Sequence, residues 1–185
     1  MKRLFDILVS LCALVFLSPI MLLVALAIKA GSKGPVLFSQ QRVGLGGDLF
    51  AVFKFRSMVV GAANQGPYFT QGNDPRITPV GAFLRKTSLD ELPQLISVLL
   101  GHMSLVGPRP NVPPQRGEYT QEQWDKRNSV RPGITGLAQA VKRSTATPEE
   151  RTRLDLEYVE KASLAFDVYV ILLTIKQVVL GKGTN

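Results

Sequence analysis

The chain has 185 residues, of which 45% are hydrophobic and only 19% charged, and this length suits one domain with its own core. Its formal charge of +8 predicts an anionic partner, such as phospholipid head groups or a phosphorylated substrate, whereas nucleic acid is not expected because no basic run is interleaved with aromatic residues. A single cysteine, Cys12, and a single histidine, His102, exclude an intrachain disulfide, a Cys/His zinc cluster and, unless His102 belongs to it, a Ser/His triad.

The first predicted element is a hydrophobic helix. Residues 4–28 carry one charge, Asp6, and are long enough to cross about 30 Å of hydrocarbon. Ser18 and Pro19 lie in its middle, where proline removes a helical hydrogen bond and predicts a kink. Because basic residues flank both ends, the positive-inside rule gives no orientation. These residues leave two paths open: an ordinary kinked span, and a helix that turns at Ser18 and Pro19 and leaves by the face it entered.

Two short strands joined by a glycine-rich turn are predicted next, from the stretches VLFSQQRVG and LFAVFKFRSM. In the second strand Phe53 and Phe55 alternate with Lys54 and Arg56, which predicts a hairpin with one apolar and one cationic face. Residues 57–76 show no clean periodicity and are rich in Gly, Asn and Gln, so a loop is predicted there.

A short helix is predicted from Thr78 to Lys86, with Thr78 as N-cap and Pro79 as first helical residue. It leads into the adjacent carboxylates Asp90 and Glu91, which precede an apolar run. The function of this acidic pair is the main question that the sequence raises.

Two interpretations of the acidic pair are open. Ser88 and Glu91 fit an S-x-x-E capping box, in which Glu91 bonds back to the backbone amide of Ser88 and Asp90 merely favours the positive end of the helix dipole. Alternatively, a carboxylate at a helix N-terminus faces backbone N–H groups that also suit a phosphate. Such a carboxylate could bind a divalent metal, attack phosphorus, or do both in sequence. Pro93 leaves both carboxylates at the start of the helix under either interpretation.

Four arginines flank glycine or proline turns or lie in the predicted hairpin, where the backbone has little freedom. Arginine forks match phosphate oxygens, so the set predicts a phosphate site, although each arginine alone would be an ordinary surface or ion-pair residue. The four are Arg56, Arg85, Arg109 and Arg131.

Two further helices are predicted towards the C-terminal end. Thr147 and Glu150 fit a second capping box, with Pro148 at the first helical position. The next segment, LAFDVYVILLTIKQVVLG, is too polar at Asp167 and Lys176 for a membrane span and too apolar for a free surface. It is predicted to lie against the membrane or to pack on the N-terminal helix.

Five stretches resemble the bacterial sugar transferases, the monotopic polyprenyl-phosphate phosphoglycosyl transferases, in a minimal catalytic form. They are FKFRSM, LRKTSLDELPQL, GHMSLVGPRP, VRPGITGLAQ and LDLEYVEKASLAFDVYVILLT. The resemblance implies an α+β, mainly helical fold with a small β-hairpin and amphipathic interfacial helices. It also implies a re-entrant membrane helix at 1–30, a helix–break–helix with its break at Ser18 and Pro19, and a cytoplasmic, membrane-associated catalytic domain at 31–185.

The resemblance further implies a reaction at the cytoplasmic face of the bacterial inner membrane. Asp90 would attack the sugar-bearing phosphate of a nucleoside-diphosphate sugar, usually a UDP-sugar, and release UMP. A polyprenyl phosphate, typically undecaprenyl phosphate, would then take the phosphosugar from this covalent intermediate. Mg²⁺ would sit at Asp90, and Glu91 would assist in metal binding or in activating the lipid phosphate. Membrane lipids and a second copy of the chain, in a homodimer, are the other implied partners.

Arg109 matches the arginine of the family's Pro-Arg-Pro motif and is expected near nucleotide or phosphate. The other basic positions that match have less certain roles: Lys54, Arg56, Arg85 and Arg131. The chain departs from many members after PGITG, where it has LAQAVKRST in place of a Gly-Arg-Asn segment, so no sugar contact is inferred at Lys142, Arg143 or Ser144. The sugar and the polyprenyl chain length stay open.

Two other classes of protein compete with this one. A non-catalytic membrane scaffold would bind anionic lipid through its basic face and use Glu91 only as a helix cap. A soluble nucleic-acid binder would need the N-terminal helix to be a buried core element.

Overall fold

The computed structural model describes residues 1–62, 65–66, 74–142 and 145–179. In chain order the elements are α1 (Lys2–Gly31), β1 (Leu37–Val43), β2 (Leu49–Phe55), α2 (Pro79–Thr87), α3 (Gln94–Leu99), β3 (Ser104–Val106), α4 (Gln121–Arg127), β4 (Gly133–Thr135), α5 (Leu137–Lys142), α6 (Pro148–Lys161) and α7 (Leu164–Val179). The mainly helical class with a small hairpin is therefore confirmed, whereas the predicted loop at 57–76 lies partly outside the described residues.

Helix α1 is continuous across Ser18 and Pro19, so the predicted break is not an interruption of the helix. Proline lacks the N–H that would bond the carbonyl of Val15. The hydroxyl of Ser18 donates to that carbonyl at 2.8 Å and replaces the missing bond. Within the described chain, α1 is the one helix long and apolar enough to cross a membrane, which is compatible with membrane association.

Both ends of α1 contact the rest of the protein. Near its start, the carboxylate of Asp6 accepts hydrogen bonds from the hydroxyl of Ser104, at 2.8 Å, and from the amide of Leu105, at 3.1 Å. Near its end, Val24 and Ile28 are buried in one hydrophobic cluster with residues of β2 and α2. Most of the apolar side chains between these contacts are exposed, for example Leu11, Val15, Phe16 and Leu23.

Strands β1 and β2 form the predicted antiparallel hairpin. The predicted split into an apolar and a cationic face is wrong, because Phe50 and Val52 lie on the same face as Lys54 and are buried against α3 and Met103. Of the basic side chains, Lys54 points towards Glu91 and Arg56 is buried. The two basic residues of the predicted cationic face, Lys54 and Arg56, therefore have partners within the protein.

A second, two-stranded sheet forms where β3 pairs in parallel with β4. Its backbones approach so closely that a Cβ added to Gly133 would lie 2.1 Å from the amide nitrogen of Gly107. Only glycine fits this position, which explains the first glycine of the PGITG stretch. Because the chain continues from β3 into Pro108, the sheet fixes the base of the Pro-Arg-Pro segment.

The C-terminal helices pack around a core that includes Leu137, Tyr158 and Val170. The predicted capping box at the start of α6 is confirmed: the Thr147 hydroxyl accepts from the amide of Glu150, and the Glu150 carboxylate accepts from the amide of Thr147. The start of α7 contacts the start of α1 through Lys2, which donates to the carboxylate of Asp167. One face of α7 stays exposed and apolar: Val168, Leu172, Ile175 and Val178.

Candidate active site

The acidic pair lies in a short 3₁₀ turn, Leu89–Glu91, between α2 and α3. Helix α2 begins at Pro79 with Thr78 as its cap, as predicted. It ends at Thr87, and the next residue, Ser88, adopts a left-handed backbone with φ 59° and caps nothing with its side chain. The predicted capping box between Ser88 and Glu91 is therefore wrong, because the carboxylate of Glu91 has partners elsewhere.

Those partners are two cations from distant elements. Lys54 of β2 donates to Oε1 of Glu91 at 2.7 Å, and Arg109 donates to the same oxygen at 2.6 Å and to Oε2 at 3.4 Å. Burial by itself would raise the pKa of Glu91, but Arg109 and Lys54 outweigh it and hold that pKa well below its usual range. Glu91 is therefore a charged anchor for two cations and a weak proton acceptor.

Asp90 has a different environment. It is 8% exposed, and within the described chain its carboxylate accepts no hydrogen bond. Burial, followed by the charge of Glu91, raises its pKa from 3.8 to about 6, against the opposing charges of Lys54, Arg85 and Arg109. At neutral pH most molecules therefore carry an ionised Asp90.

One cation that the sequence did not single out belongs to the same cluster. Arg42 of β1 donates to the carbonyl of Pro110 at 3.0 Å and to the side chain of Gln40 at 2.7 Å. Burial and the nearby charge of Arg109 lower its pKa to about 10. No local motif marks Arg42. It reaches the cluster because β1 runs beside the Pro-Arg-Pro segment, where Arg42 bonds the carbonyl of Pro110.

The Pro-Arg-Pro segment itself is fixed through its backbone. Four consecutive carbonyls each accept a hydrogen bond from another part of the chain. The carbonyl of Pro108 accepts from the amide of Gly133 at 3.0 Å, and that of Arg109 accepts from Arg127 at 2.5 Å. The carbonyl of Pro110 accepts from Arg42, and that of Asn111 accepts from the amide of Val43 at 2.9 Å. The guanidinium of Arg109 thus extends from a rigid support.

The structure does not bring all of the predicted arginines to Asp90. Arg56 is buried and donates to the carbonyls of Ser32 and Lys33, at 3.0 and 2.5 Å, so it fastens the chain that leaves α1. Arg131 is exposed and donates to the carbonyl of Gly101, at the opposite end of α3 from Asp90. Lys54, Arg85 and Arg109 are the predicted cations that lie close enough to influence the carboxylate.

The departure noted after PGITG lies only partly within the described chain. Lys142 ends α5 and pairs with Glu150 at 3.1 Å, so it has a local partner in α6. Arg143 and Ser144 are outside the described residues.

The charges at the site suit a phosphorylated ligand. Four cations, Arg42, Lys54, Arg85 and Arg109, stand against two carboxylates, which leaves an excess of two positive charges. Arginine and lysine side chains in a partly buried site bind phosphate oxygens through charge-assisted hydrogen bonds. A nucleoside diphosphate or a pair of phosphate groups matches this excess.

The residues also fit Mg²⁺, provided that substrate phosphates and water supply most of its ligands. The described chain contains no group of three His, Cys, Asp or Glu side chains that could hold a metal alone. Mg²⁺ is commonly bound by one or two carboxylates together with substrate phosphates and water. The unengaged carboxylate of Asp90 fits that pattern, whereas both oxygens of Glu91 are already bonded to cations.

The family follows from comparison with known proteins. The model of the family described as "Bacterial sugar transferase" matches residues 1–181. The chain belongs to this family. The resemblance stated from the five stretches is thereby confirmed over nearly the whole chain.

Two of the relatives described below have names that state a UDP-sugar and undecaprenyl phosphate. The chain is 44% identical, over 99% of its length, to the UDP-glucose:undecaprenyl-phosphate glucose-1-phosphate transferase of Escherichia coli K12, of which it covers 41%. It is 41% identical over its full length to the UDP-N-acetylgalactosamine-undecaprenyl-phosphate N-acetylgalactosaminephosphotransferase of Aeromonas hydrophila, of which it covers 45%. It is 45% identical over 99% of its length to the exopolysaccharide production protein PSS of Rhizobium leguminosarum bv. phaseoli, of which it covers 98%. The chain thus spans less than half of the first two relatives and nearly all of the third.

Proposed function

We propose that this chain transfers a phosphosugar from a UDP-sugar to a polyprenyl phosphate, with undecaprenyl phosphate as the acceptor. The observation that carries the proposal is Asp90, a buried carboxylate that lies beside a cluster of cations and accepts no hydrogen bond from the residues that the structure describes. The names of the relatives support the donor and the acceptor, since two of them join a UDP-sugar to undecaprenyl phosphate.

The first half of the reaction uses Asp90 as the nucleophile. A carboxylate oxygen attacks the phosphorus that carries the sugar, and the bond from that phosphorus to the bridging oxygen breaks. UMP leaves with the bridging oxygen, and the phosphosugar remains on Asp90 as an acyl phosphate. With a pKa of about 6 the carboxylate is mostly ionised at neutral pH, so no proton has to be removed from it.

The second half returns the enzyme to its starting state. An oxygen of the polyprenyl phosphate attacks the same phosphorus, and the bond to Asp90 breaks, which gives polyprenyl-diphosphate-sugar. A phosphate monoester has a second pKa of about 6, so much of the acceptor is already a dianion at neutral pH. The low pKa of Glu91 agrees with this, because the step requires no strong base.

Glu91 is proposed to act through the cations that it binds. It holds Lys54 and Arg109 side by side, where their remaining N–H groups can meet phosphate oxygens. Mg²⁺, held by Asp90 together with phosphate oxygens, would neutralise charge on the diphosphate. Of the cations, Arg109 is the more accessible, with 41% of its side chain exposed.

The protein is proposed to be monotopic on the cytoplasmic face of the bacterial inner membrane, with α1 re-entering the leaflet. Thirty helical residues extend about 45 Å, enough to cross a bilayer. A crossing would separate the two ends of α1, yet both contact the same domain. The exposed apolar face of α7 supports a position on the membrane surface. The possible homodimer stays a prediction.

The test of the reaction is UMP release from a panel of UDP-sugars, with undecaprenyl phosphate and Mg²⁺. We expect one or more sugars to release UMP with the wild type and none with Asp90→Asn. The matched control is Asp48→Asn, which removes an exposed carboxylate from the hairpin turn and should turn over normally. Trapping of a phosphosugar on Asp90 in the absence of acceptor would establish the covalent step. Normal turnover by Asp90→Asn would refute the proposal.

The test of the membrane path is cysteine labelling in a Cys12→Ser background. One cysteine is placed in a short extension before residue 1 and another at the exposed position Lys33. Labelling of both from the cytoplasmic side alone is expected for re-entry. Labelling from opposite sides would establish a span.

A further inference from the structure

A buried ion pair joins α4 to α6 behind the candidate site. Nε of Arg127 donates to Oδ2 of Asp155 at 2.9 Å, and a second guanidinium nitrogen lies 2.8 Å from the same oxygen. Each side chain is 1% exposed, and no other ion pair in the described chain is buried as completely on both sides. The guanidinium also lies over the ring of Tyr119, 5.5 Å from its centroid.

Stability alone does not explain this pair. Removing two charges from water is costly, and well-packed apolar residues of similar volume are often as stable as a buried pair or more so. The pair is also imperfect, because Oδ1 of Asp155 is buried without a hydrogen-bond partner in the described structure. A cost of this kind suggests that the pair serves another part of the protein.

That other part is the backbone of Arg109. The NH2 group of Arg127 donates to the carbonyl of Arg109 at 2.5 Å. From there the guanidinium of Arg109 reaches Glu91, which is adjacent to Asp90. A continuous series of contacts therefore leads from Asp155 on α6 to the candidate nucleophile.

We propose that Arg127, oriented by Asp155, is a positioning residue for Arg109. This inference rests on the proposed transfer, in which the guanidinium of Arg109 meets a phosphate. By fixing the carbonyl between Pro108 and Pro110, Arg127 sets the origin of the Arg109 side chain. A displacement of about 1 Å at such a group can cost about 100-fold in rate.

The geometry also explains why the positioning residue is an arginine. One planar guanidinium faces Oδ2 of Asp155 with Nε and NH2, and the same NH2 group donates to the carbonyl of Arg109. A lysine ammonium lacks this fixed fork, so Arg127→Lys keeps the charge without the orientation. We expect Arg127→Lys to retain only part of the wild-type turnover.

The experiment is a double-mutant cycle on kcat/KM for UMP release, in nanodiscs with undecaprenyl phosphate. The first change replaces the ion pair by apolar residues, Arg127→Met with Asp155→Leu, so that no buried charge is left unpaired. The second change is Arg109→Ala. We expect the pair replacement to lower kcat/KM by about tenfold or more in the wild-type background and by less than about twofold in the Arg109→Ala background.

The matched control is Lys126→Met. Lys126 pairs with Glu160 across the same two helices, but both are exposed and neither contacts Arg109. Its removal should leave kcat/KM unchanged. Thermal unfolding of each variant separates loss of structure from loss of positioning. If the pair replacement does not fold, Asp155→Asn, which keeps the shape of the side chain, goes through the same cycle.

Two results would overturn the inference: unchanged kcat/KM in the folded pair replacement, or an equal loss with and without Arg109. A wild type that releases no UMP would instead refute the proposed function. In that case hydrogen exchange of the peptide 105–112 decides the positioning role without any turnover. Faster exchange there in the pair replacement, with unchanged exchange elsewhere, supports the role, and unchanged exchange at 105–112 refutes it.

Discussion

Replacing Asp90 by asparagine should abolish turnover, and it should favour the folded state more at neutral pH than at pH 4. Folding raises the pKa of this carboxyl from 3.8 to about 6, so the folded state disfavours its charge. At about 1.4 kcal/mol per pKa unit, the charged group lowers the unfolding free energy by about 3 kcal/mol once the pH exceeds 6. The penalty develops as the pH rises from 4 to 6 and is below about 1 kcal/mol at pH 4.

The buried amide of the asparagine lacks a partner and costs about 1–3 kcal/mol, but this cost does not depend on pH. The change in unfolding free energy on going from wild type to Asp90→Asn is therefore compared at pH 7.5 and at pH 4. The difference between the two changes reports the charge alone, and we expect this difference to be about 2 kcal/mol. Denaturant unfolding of wild type and Asp90→Asn at the two pH values measures it, with Asp48→Asn reporting the loss of a surface carboxylate. Equal gains at both pH values, or a larger gain at pH 4, would refute the account of Asp90.

Three further substitutions separate structural from site residues. Arg56→Met should lower the unfolding free energy by about 2–3 kcal/mol, through two lost bonds to backbone carbonyls after α1, yet leave turnover per folded molecule within about twofold. Glu91→Gln should lower kcat/KM and move the acid limb of its pH profile to lower pH, because the charge of Glu91 raises the pKa of Asp90. Tyr158→Phe removes a 2.6 Å bond to Asp167 and should cost about 1–3 kcal/mol in denaturant unfolding with little change in kcat/KM.

The elements that the sequence predicted well are those whose signals are local. The caps at Thr78 and Thr147 each lie within three residues of the amides that they satisfy, so the sequence contains both partners. The two hairpin strands likewise lie on either side of one glycine-rich turn. The start of α4, where Thr120 and Gln123 form another capping box, carried the same kind of signal in the stretch TQEQ and was missed.

The candidate site was predicted only in part because its contacts span the chain. Ser88 and Glu91 have the spacing of a capping box, but the two cations bonded to Glu91 come from 37 residues before it and 18 residues after it. Ion pairs with fixed cations outweigh a local cap of about 1 kcal/mol. Arg42 and Arg127 carried no signal, because their roles depend on which backbone carbonyl the fold places beside them.

The hydroxyl of Ser18, which replaces the backbone hydrogen bond missing at Pro19, constrains the order in which these two residues can be substituted. With α1 in lipid, as proposed, Ser18→Ala would leave the carbonyl of Val15 without a donor, at a cost of several kcal/mol. Pro19→Ala would restore the backbone donor and make the hydroxyl dispensable. Substitution at both positions therefore avoids this cost in one order only. Pro19 must be replaced before Ser18, and in the reverse direction the serine must be present before the proline.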